Sequence, residues 1–126
     1  MLGKHKMIGF ALTTDTKRAK KFYEEILGFR FLKEDPFALV MATDENMIRI
    51  SPVKEFVPAQ HTILGWEVKE IERLASHLKE RGVTFQQYPW MKPSELGIWD
   101  SPSGDKVAWF KDPDGNVLSI SQHVDR

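Results

Sequence analysis

Apolar and polar residues alternate strictly after a tight turn near the C-terminus. The turn is Asp112-Pro113-Asp114-Gly115, where Pro presets φ and Gly tolerates a positive φ. In the strand predicted to follow, Leu118 and Ile120 fall on one face, and the opposite face receives Val117, Ser119 and Ser121. The pattern predicts a β-hairpin whose last strand has one apolar face and one more polar face.

The same hairpin pattern occurs earlier in the chain, shifted by 70 residues. The segment FALVMATDENMIRIS (37–51) aligns without a gap with VAWFKDPDGNVLSIS (107–121). Further upstream, GFRF (28–31) matches GVTF (82–85), and IGFAL (8–12) resembles LGWEV (64–68). A repeat of this length indicates two copies of one structural module.

Each copy is predicted to contain a strand, a helix and three further strands. In the first copy, Asp15 or Thr16 caps a helix that runs to about Leu27, and Gly28 suits the left-handed position that ends it. The predicted elements of the second copy are strands at 62–68, 84–88, 106–111 and 117–122 and a helix at about 70–81. We therefore predict one α+β domain of two βαβββ modules, at about 5–51 and 62–123, joined by a linker at 52–61. The segment 89–104 has no counterpart in the first copy and is predicted to be an insertion.

Composition narrows the partners and the location. The chain has 126 residues, 18 basic and 18 acidic, so its formal net charge of zero argues against nucleic acid or a membrane surface as a partner. It contains no cysteine, which excludes disulfides and thiolate chemistry. No apolar run has the length of a membrane span, and the first residues lack the apolar stretch of a signal peptide. A cytoplasmic location is expected.

The phrase FKDPDGNVLSI (110–120), the segment AKKFYEEILGF (19–29) and the paired modules resemble the vicinal oxygen chelate superfamily. That superfamily includes glyoxalase I, extradiol dioxygenases, fosfomycin-resistance enzymes and bleomycin-binding proteins. The resemblance implies a curved mixed sheet with helices on its convex face and a ligand on its concave face. It also implies a homodimer. It says little about the reaction, because one fold supports many activities.

In catalytic members of that superfamily, His, Gln or Glu side chains from the first and fourth strands of each module hold a divalent metal. The matching ligand positions in this chain are Met7 or Ile8, then Arg49, Ile63 and Ser119. None of these residues is a usual ligand for such an ion. We therefore predict that the protein has no metal cofactor, with a divalent metal as the alternative if a shift in register brings His61 to the site.

Several other residues are candidates for ligand binding or catalysis. On the predicted concave face, Met47, Ile63 and Ser119 are candidates for contacts with a substrate. Arg49 on the same face could hold a carboxylate, a phosphate or an enolate oxygen, or it could form a structural ion pair. Glu67 could act as a general base if it is buried. Trp90 and Trp99 in the insertion could close over a flat organic ligand or fill a dimer interface, while Trp109 lies in a strand whose two faces are both apolar.

These observations leave three classes of function open. The first is a small-molecule-binding protein without chemistry, such as an antibiotic-sequestering resistance protein. The second is a metal-free enzyme that uses Glu67 or Arg49. The third is a metal-dependent lyase or isomerase of the lactoylglutathione lyase type. The sequence shows no Ser/His/Asp triad, phosphate-binding loop or dinucleotide fingerprint.

Overall fold

Each half of the chain folds as its own unit, and the two units meet in sequence at Pro58 and Ala59. The structure is a computed structural model that describes residues 1–124. Each unit contains a four-stranded mixed sheet. The predicted α+β fold of two βαβββ modules is confirmed.

Unit 1 begins with a short 3-10 turn and continues with β1, α1, β2, β3 and β4. Their bounds are β1 Ile8–Thr13, α1 Thr16–Lys21, β2 Arg30–Asp35, β3 Ala38–Ala42 and β4 Met47–Pro52. The helix continues beyond α1 as a π-helical segment, Phe22–Ile26. The strands lie in the order β1-β4-β3-β2, with β1 parallel to β4 and the other neighbours antiparallel.

The predicted signals for the ends of the first helix are confirmed. Asp15 is the N-cap, and its Oδ1 accepts a hydrogen bond from the Arg18 backbone N–H at 3.1 Å. Gly28 follows the π-helical segment with φ +80°, the left-handed conformation in which glycine is favoured. Between these ends, Tyr23 is fully buried and packs edge-to-face against Phe22 and Phe29.

Unit 2 contains β5, α2, β6, β7 and β8. Their bounds are β5 Thr62–Glu67, α2 Ile71–Glu80, β6 Trp99–Asp100, β7 Lys106–Lys111 and β8 Val117–Gln122. The order is β5-β8-β7-β6, with β5 parallel to β8. The first backbone N–H of α2, at Ile71, donates to the Gln122 side chain at 2.8 Å, so the last strand caps the helix of its own unit.

The prediction of a strand at 84–88 is wrong. This segment has no regular strand structure, although the Gln86 backbone N–H donates to the Trp109 carbonyl oxygen at 2.8 Å. The fourth strand of the sheet is instead β6, inside the segment 89–104, where Trp99 and Asp100 pair with Val107 and Lys106. The outer edge of β7 is therefore covered by two separate pieces of chain.

Alternation in the last strand of each unit assigns its two faces. Ile48 and Ile50 of β4 are buried, whereas Met47, Arg49 and Ser51 are half-exposed. In unit 2, Leu118 and Ile120 are buried, but so are Val117 and Ser119 on the other face of β8. Helices α1 and α2 pack against β4 and β8 respectively. Among the residues described, no helix is long and apolar enough to cross a bilayer.

The two repeated hairpins differ in how their turns are held. In the second, the Asp112 carboxylate accepts hydrogen bonds from the backbone N–H groups of Asp114 and Asn116 and from the Asn116 side chain. Both Asp112 and Asn116 are buried. In the first, Asn46 is exposed, and the turn is held by hydrogen bonds of Thr43.

We predict that Asn116→Ala destabilises the protein and that Asn46→Ala does not. The Asn116 side-chain bond to Asp112 is 2.8 Å long and buried, and its loss should cost about 1.5–3 kcal/mol, the range for a hydrogen bond to a charged group. Asn46→Ala, at the matching repeat position, should change stability by less than about 0.5 kcal/mol. Urea unfolding of both variants measures the difference, and equal effects would contradict the prediction.

Candidate functional site

The face of unit 2 opposite Leu118 and Ile120 carries Ser119, and we call it the Ser119 face. Residues paired across neighbouring strands project to the same side of a sheet. Ser119 pairs with Gly65 of β5 and with Trp109 of β7, so these three positions lie side by side. A Cβ on Gly65 would approach Ser119 Oγ to 3.1 Å, a tight contact, so the glycine leaves room beside the hydroxyl.

Four aromatic rings from three segments pack together and form an aromatic cluster of Tyr88, Trp90, Trp99 and Trp109. Trp90 is at its centre: its ring stacks on Tyr88 with 5.6 Å between centroids and meets Trp99 and Trp109 edge-on at 5.2 and 5.7 Å. Tyr88 meets Trp109 at 5.6 Å. Trp90 is nevertheless 59% exposed, while the other three rings are half-buried.

The segment that carries Trp90 is shaped by local contacts. Gln87 holds Ser94 through both ends of its side-chain amide, at 2.6 and 3.4 Å, which closes a loop around Trp90. Met91 is buried under this loop. Gly97 has φ +65°, and a Cβ there would lie 2.6 Å from the Cβ of Phe85. The aromatic cluster therefore rests on a defined loop rather than on an open strand edge.

The face of unit 1 opposite Ile48 and Ile50 carries Arg49, and we call it the Arg49 face. Arg49 pairs with Phe10 of β1 and Val40 of β3. Phe10 is 63% exposed, and Ile8 and Leu12 on the same side of β1 are also exposed. The guanidinium is thus flanked by apolar side chains.

Arg49 also acts on a nearby carboxylate. The pKa of Asp35 is lowered mainly by a hydrogen bond from the Phe37 backbone N–H, partly offset by desolvation, with a further bond from Ala38. The positive charges of Lys33 and Arg49 lower it further. Arg49 therefore contributes to the electrostatics of the β2–β3 turn in addition to any role in ligand binding.

The two candidates for the first ligand position, Met7 and Ile8, differ in their place in the fold. Met7 precedes β1, whereas Ile8 pairs with Met47 and lies on the Arg49 face. Of the two candidates for this position, Ile8 is therefore the one that shares a face with Arg49. Ile63 lies at an irregularity in the β5–β8 register, between Thr62 and Leu64.

The residues at the ligand positions do not fit a divalent metal. Ile8 and Ile63 offer no donor atom, Arg49 is a cation, and Ser119 offers only a neutral hydroxyl. His61 is exposed at a bend before β5. Within residues 1–124, no group of three His, Cys, Asp or Glu side chains could hold a metal ion.

Other predicted residues have clear positions. Glu67 pairs with Ser121 on the Ser119 face but is exposed, so the burial on which its role as a base depended is absent. Trp66 stacks on Phe110, with 6.4 Å between ring centroids, and belongs to the opposite face. Met47 is half-exposed at the start of β4. Trp109, whose orientation could not be predicted from the sequence, lies on the Ser119 face as part of the aromatic cluster.

Two features were missed from the sequence. Phe10 beside Arg49 depends on the pairing of β1 with β4, which no local pattern reveals. Ser121, His123 and Asp105 form a hydrogen-bonded chain at the end of β8, a Ser/His/Asp arrangement that was not apparent from the sequence. The spacing of Ser121 and His123, two residues apart on one strand face, was the available signal.

This fold, with the same strand order in both units, agrees with a known family. The model of the Glyoxalase/Bleomycin resistance protein/Dioxygenase superfamily matches residues 8–120. The chain belongs to this superfamily. A search of curated proteins found no match.

Solved structures with the same fold include proteins of different kinds. An integron cassette protein from the mobile metagenome of Halifax Harbour Sewage Outfall aligns with a TM-score of 0.75 at 21% identity, over 95% of this chain and 99% of that one. TnmS3, an antibiotic binding protein from Streptomyces sp. CB03234, aligns at 0.69 with 25% identity, over 95% and 96%. Lactoylglutathione lyase from Agrobacterium tumefaciens aligns at 0.72 with 13% identity, over 94% and 92%.

We predict that the protein, purified without chelators or an affinity tag, contains far less than one zinc, nickel or manganese ion per chain. The physical reason is that Ile8 and Ile63 have no donor atom, Arg49 is a cation, and Ser119 has only a neutral hydroxyl. Elemental analysis by mass spectrometry after dialysis measures the content. A stoichiometric ion that disappears in His61→Ala would contradict the prediction and identify His61 as a ligand.

Proposed function

We propose that this protein binds a small organic molecule without a metal cofactor, and that the aromatic cluster on the Ser119 face holds a flat part of that ligand. The observation that carries the proposal is the packing of three aromatic rings, those of Tyr88, Trp99 and Trp109, around an exposed Trp90. The ligand would lie against Trp90 and its neighbours, near the buried hydroxyl of Ser119.

The exposed ring of Trp90 favours ligand binding for two physical reasons. An exposed tryptophan side chain leaves a large apolar area in contact with water, and a ligand that covers this area gains the favourable free energy of its burial. Here the loop holds Trp90 in place by packing against three other rings, so little conformational entropy would be lost on binding. Such a preorganised aromatic surface favours flat apolar ligands.

The relatives are consistent with this proposal. TnmS3, which has the same fold and is 25% identical, is an antibiotic binding protein. The superfamily also contains bleomycin resistance proteins by name. By extension, sequestration of an aromatic antibiotic or metabolite is the form of binding that we propose first.

Arg49 is proposed separately, on the evidence of unit 1, to bind an anionic or polar oxygen. It is half-exposed between Phe10 and Val40, and apolar neighbours reduce the competition from water for a charged hydrogen bond.

The alternative to a binding protein is an enzyme, a lyase of the lactoylglutathione lyase type. The solved lactoylglutathione lyase is 13% identical to this chain, and a similarity at this level shows a shared fold only. The chemistry of the four ligand positions argues against it. The metal content described above separates the two possibilities, because binding by the aromatic cluster needs no ion.

We predict that Trp90→Ala weakens binding of a flat aromatic ligand by at least about tenfold, equivalent to about 1.4 kcal/mol. The central ring would be lost, and with it the stacking surface. A thermal-shift screen of aromatic antibiotics and metabolites finds the ligand, since a compound that binds the native state raises Tm. Isothermal titration calorimetry then measures the affinity of both proteins.

Phe37→Ala is the matched control, because Phe37 is an exposed aromatic of the β2–β3 turn in unit 1. Its affinity should equal that of the wild type. Equal loss of affinity in both variants, or no loss in Trp90→Ala, would contradict a role for the aromatic cluster.

For anionic compounds found by the screen, Arg49→Met should weaken binding by more than about 1.5 kcal/mol, whereas the affinity for neutral compounds should not change.

We also propose that the protein forms a homodimer through the Arg49 face or the adjoining edge of unit 1. Strand β1 is an edge strand, and it exposes Ile8, Phe10 and Leu12 in a row. An exposed apolar edge strand invites pairing with another chain.

We predict that Phe10→Glu shifts the protein toward the monomer at micromolar concentration, where the wild type sediments as a dimer. The introduced charge would have to be buried in the interface. Phe37→Glu, which changes another exposed aromatic of unit 1, should leave the dimer intact. A monomeric wild type in sedimentation velocity would refute the proposal.

A further inference from the structure

Three polar side chains at the end of β8 form a continuous chain of hydrogen bonds. Ser121 Oγ lies 2.9 Å from His123 Nε2, and His123 Nδ1 lies 2.9 Å from Asp105 Oδ2. The other carboxylate oxygen, Asp105 Oδ1, accepts from the Val124 backbone N–H at 3.0 Å. Both oxygens of Asp105 are thereby engaged, and the imidazole is held at both of its nitrogens.

The fold of unit 2 explains why these residues meet. Ser121 and His123 are two residues apart, so they project to the same side of the chain. Lys106, the first residue of β7, pairs with Gln122, which places Asp105 next to His123. The position of Asp105 is fixed further because its carbonyl oxygen accepts from the Ser101 N–H at 2.8 Å in a tight turn.

The order of the atoms matters for chemistry. A carboxylate accepts hydrogen bonds, so Asp105 orients the proton of His123 on Nδ1 and leaves the lone pair of Nε2 directed at the Ser121 hydroxyl. His123 and Asp105 are only 24% and 29% exposed, which protects the pair from full competition by water. A serine, a histidine base and an orienting carboxylate in this order are the elements of an activated nucleophile.

We propose that Ser121 is a nucleophile, activated by His123 and positioned through Asp105, that accepts the acyl group of activated esters. Ser121 Oγ bonds to the ester carbonyl carbon while its proton moves to His123 Nε2. The bond from that carbon to the alcohol oxygen then breaks, and His123 protonates the leaving alcohol. Water attacks the acyl-serine, gives one proton to His123, and releases the carboxylic acid as Ser121 regains its proton.

The surroundings of Ser121 indicate the class of ester. Ser121 pairs with Val107, and Val107 pairs with Trp99, so Trp99 of the aromatic cluster lies two strands away on the same face. Neighbouring strands are about 4.8 Å apart, so the backbone of Trp99 is roughly 10 Å from the backbone of Ser121. We infer a preference for aryl esters; this preference, unlike the nucleophile itself, rests on the proposed function.

Labelling with an alkyl fluorophosphonate tests the nucleophile. The Ser121 Oγ would bond to phosphorus, fluoride would leave, and His123 would take the serine proton. We expect one adduct per chain by intact mass, mapped to Ser121 by peptide sequencing. Ser121→Ala should give no adduct, and His123→Ala should react at least tenfold more slowly, with its rate partly restored by added imidazole.

Ser76→Ala is the matched control, because Ser76 lies on α2 and outside the hydrogen-bonded chain; it should label like the wild type. No adduct on the wild type, or an adduct elsewhere that survives in Ser121→Ala, would overturn the proposal and leave the three residues a purely structural tie. A drop in Tm in His123→Ala without any wild-type labelling would have the same meaning.

Comparison of substrates separates this proposal from the proposed function. The alkyl probe has no aromatic group, so its reaction with Ser121 does not depend on the aromatic cluster. Faster hydrolysis of 2-naphthyl acetate than of an alkyl acetate activated to the same degree would support the aryl preference. Labelling without that preference would retain the nucleophile and refute its coupling to the aromatic cluster.

Discussion

The parallel pairing of the first strand with the last strand is the constraint on which each unit depends. Parallel neighbours cannot be joined by a tight turn, so the chain must cross over, and in both units it does so through a helix. The remaining strands extend the sheet by antiparallel pairing. This arrangement covers one face of the last strand with the helix of its own unit. It leaves Arg49 and Ser119 on the opposite faces, where their neighbours come from distant parts of the sequence.

Local patterns were sufficient for most of the fold. Alternation and turn chemistry predicted β7 and β8 with the bounds that the structure has, and Asp15 and Gly28 marked the ends of the first helix. The strand predicted at 84–88 failed for a tertiary reason. Only Gln86 bonds to β7 there, while Trp99 and Asp100 occupy the rest of that edge. The sequence pattern of a strand does not show which segment takes an available edge.

For the candidate site, too, local patterns predicted some features, whereas others depended on contacts between distant strands. Alternation correctly placed Arg49 opposite Ile48 and Ile50, and Ser119 opposite Leu118 and Ile120. The neighbours of these residues depend on register between strands that are far apart in sequence, so Phe10 beside Arg49 could not be foreseen. The meeting of Asp105 with His123 is a case of the same kind, because it follows from the pairing of Lys106 with Gln122. The catalytic role of Glu67 stays a prediction, without the burial that motivated it.

The aromatic cluster also gives the protein a built-in optical reporter. The protein has four tryptophans, and the ring centroids of the three in the aromatic cluster lie 5.2–6.1 Å from one another. The fourth, Trp66, stacks on Phe110 on the other face of the sheet. Indoles at such distances exchange excitation energy and couple their electronic transitions, so near-ultraviolet circular dichroism and fluorescence will be dominated by their mutual geometry. Any molecule that stacks on Trp90 will quench or shift a collective signal rather than that of one ring. Occupancy of the Ser119 face can therefore be followed without a label.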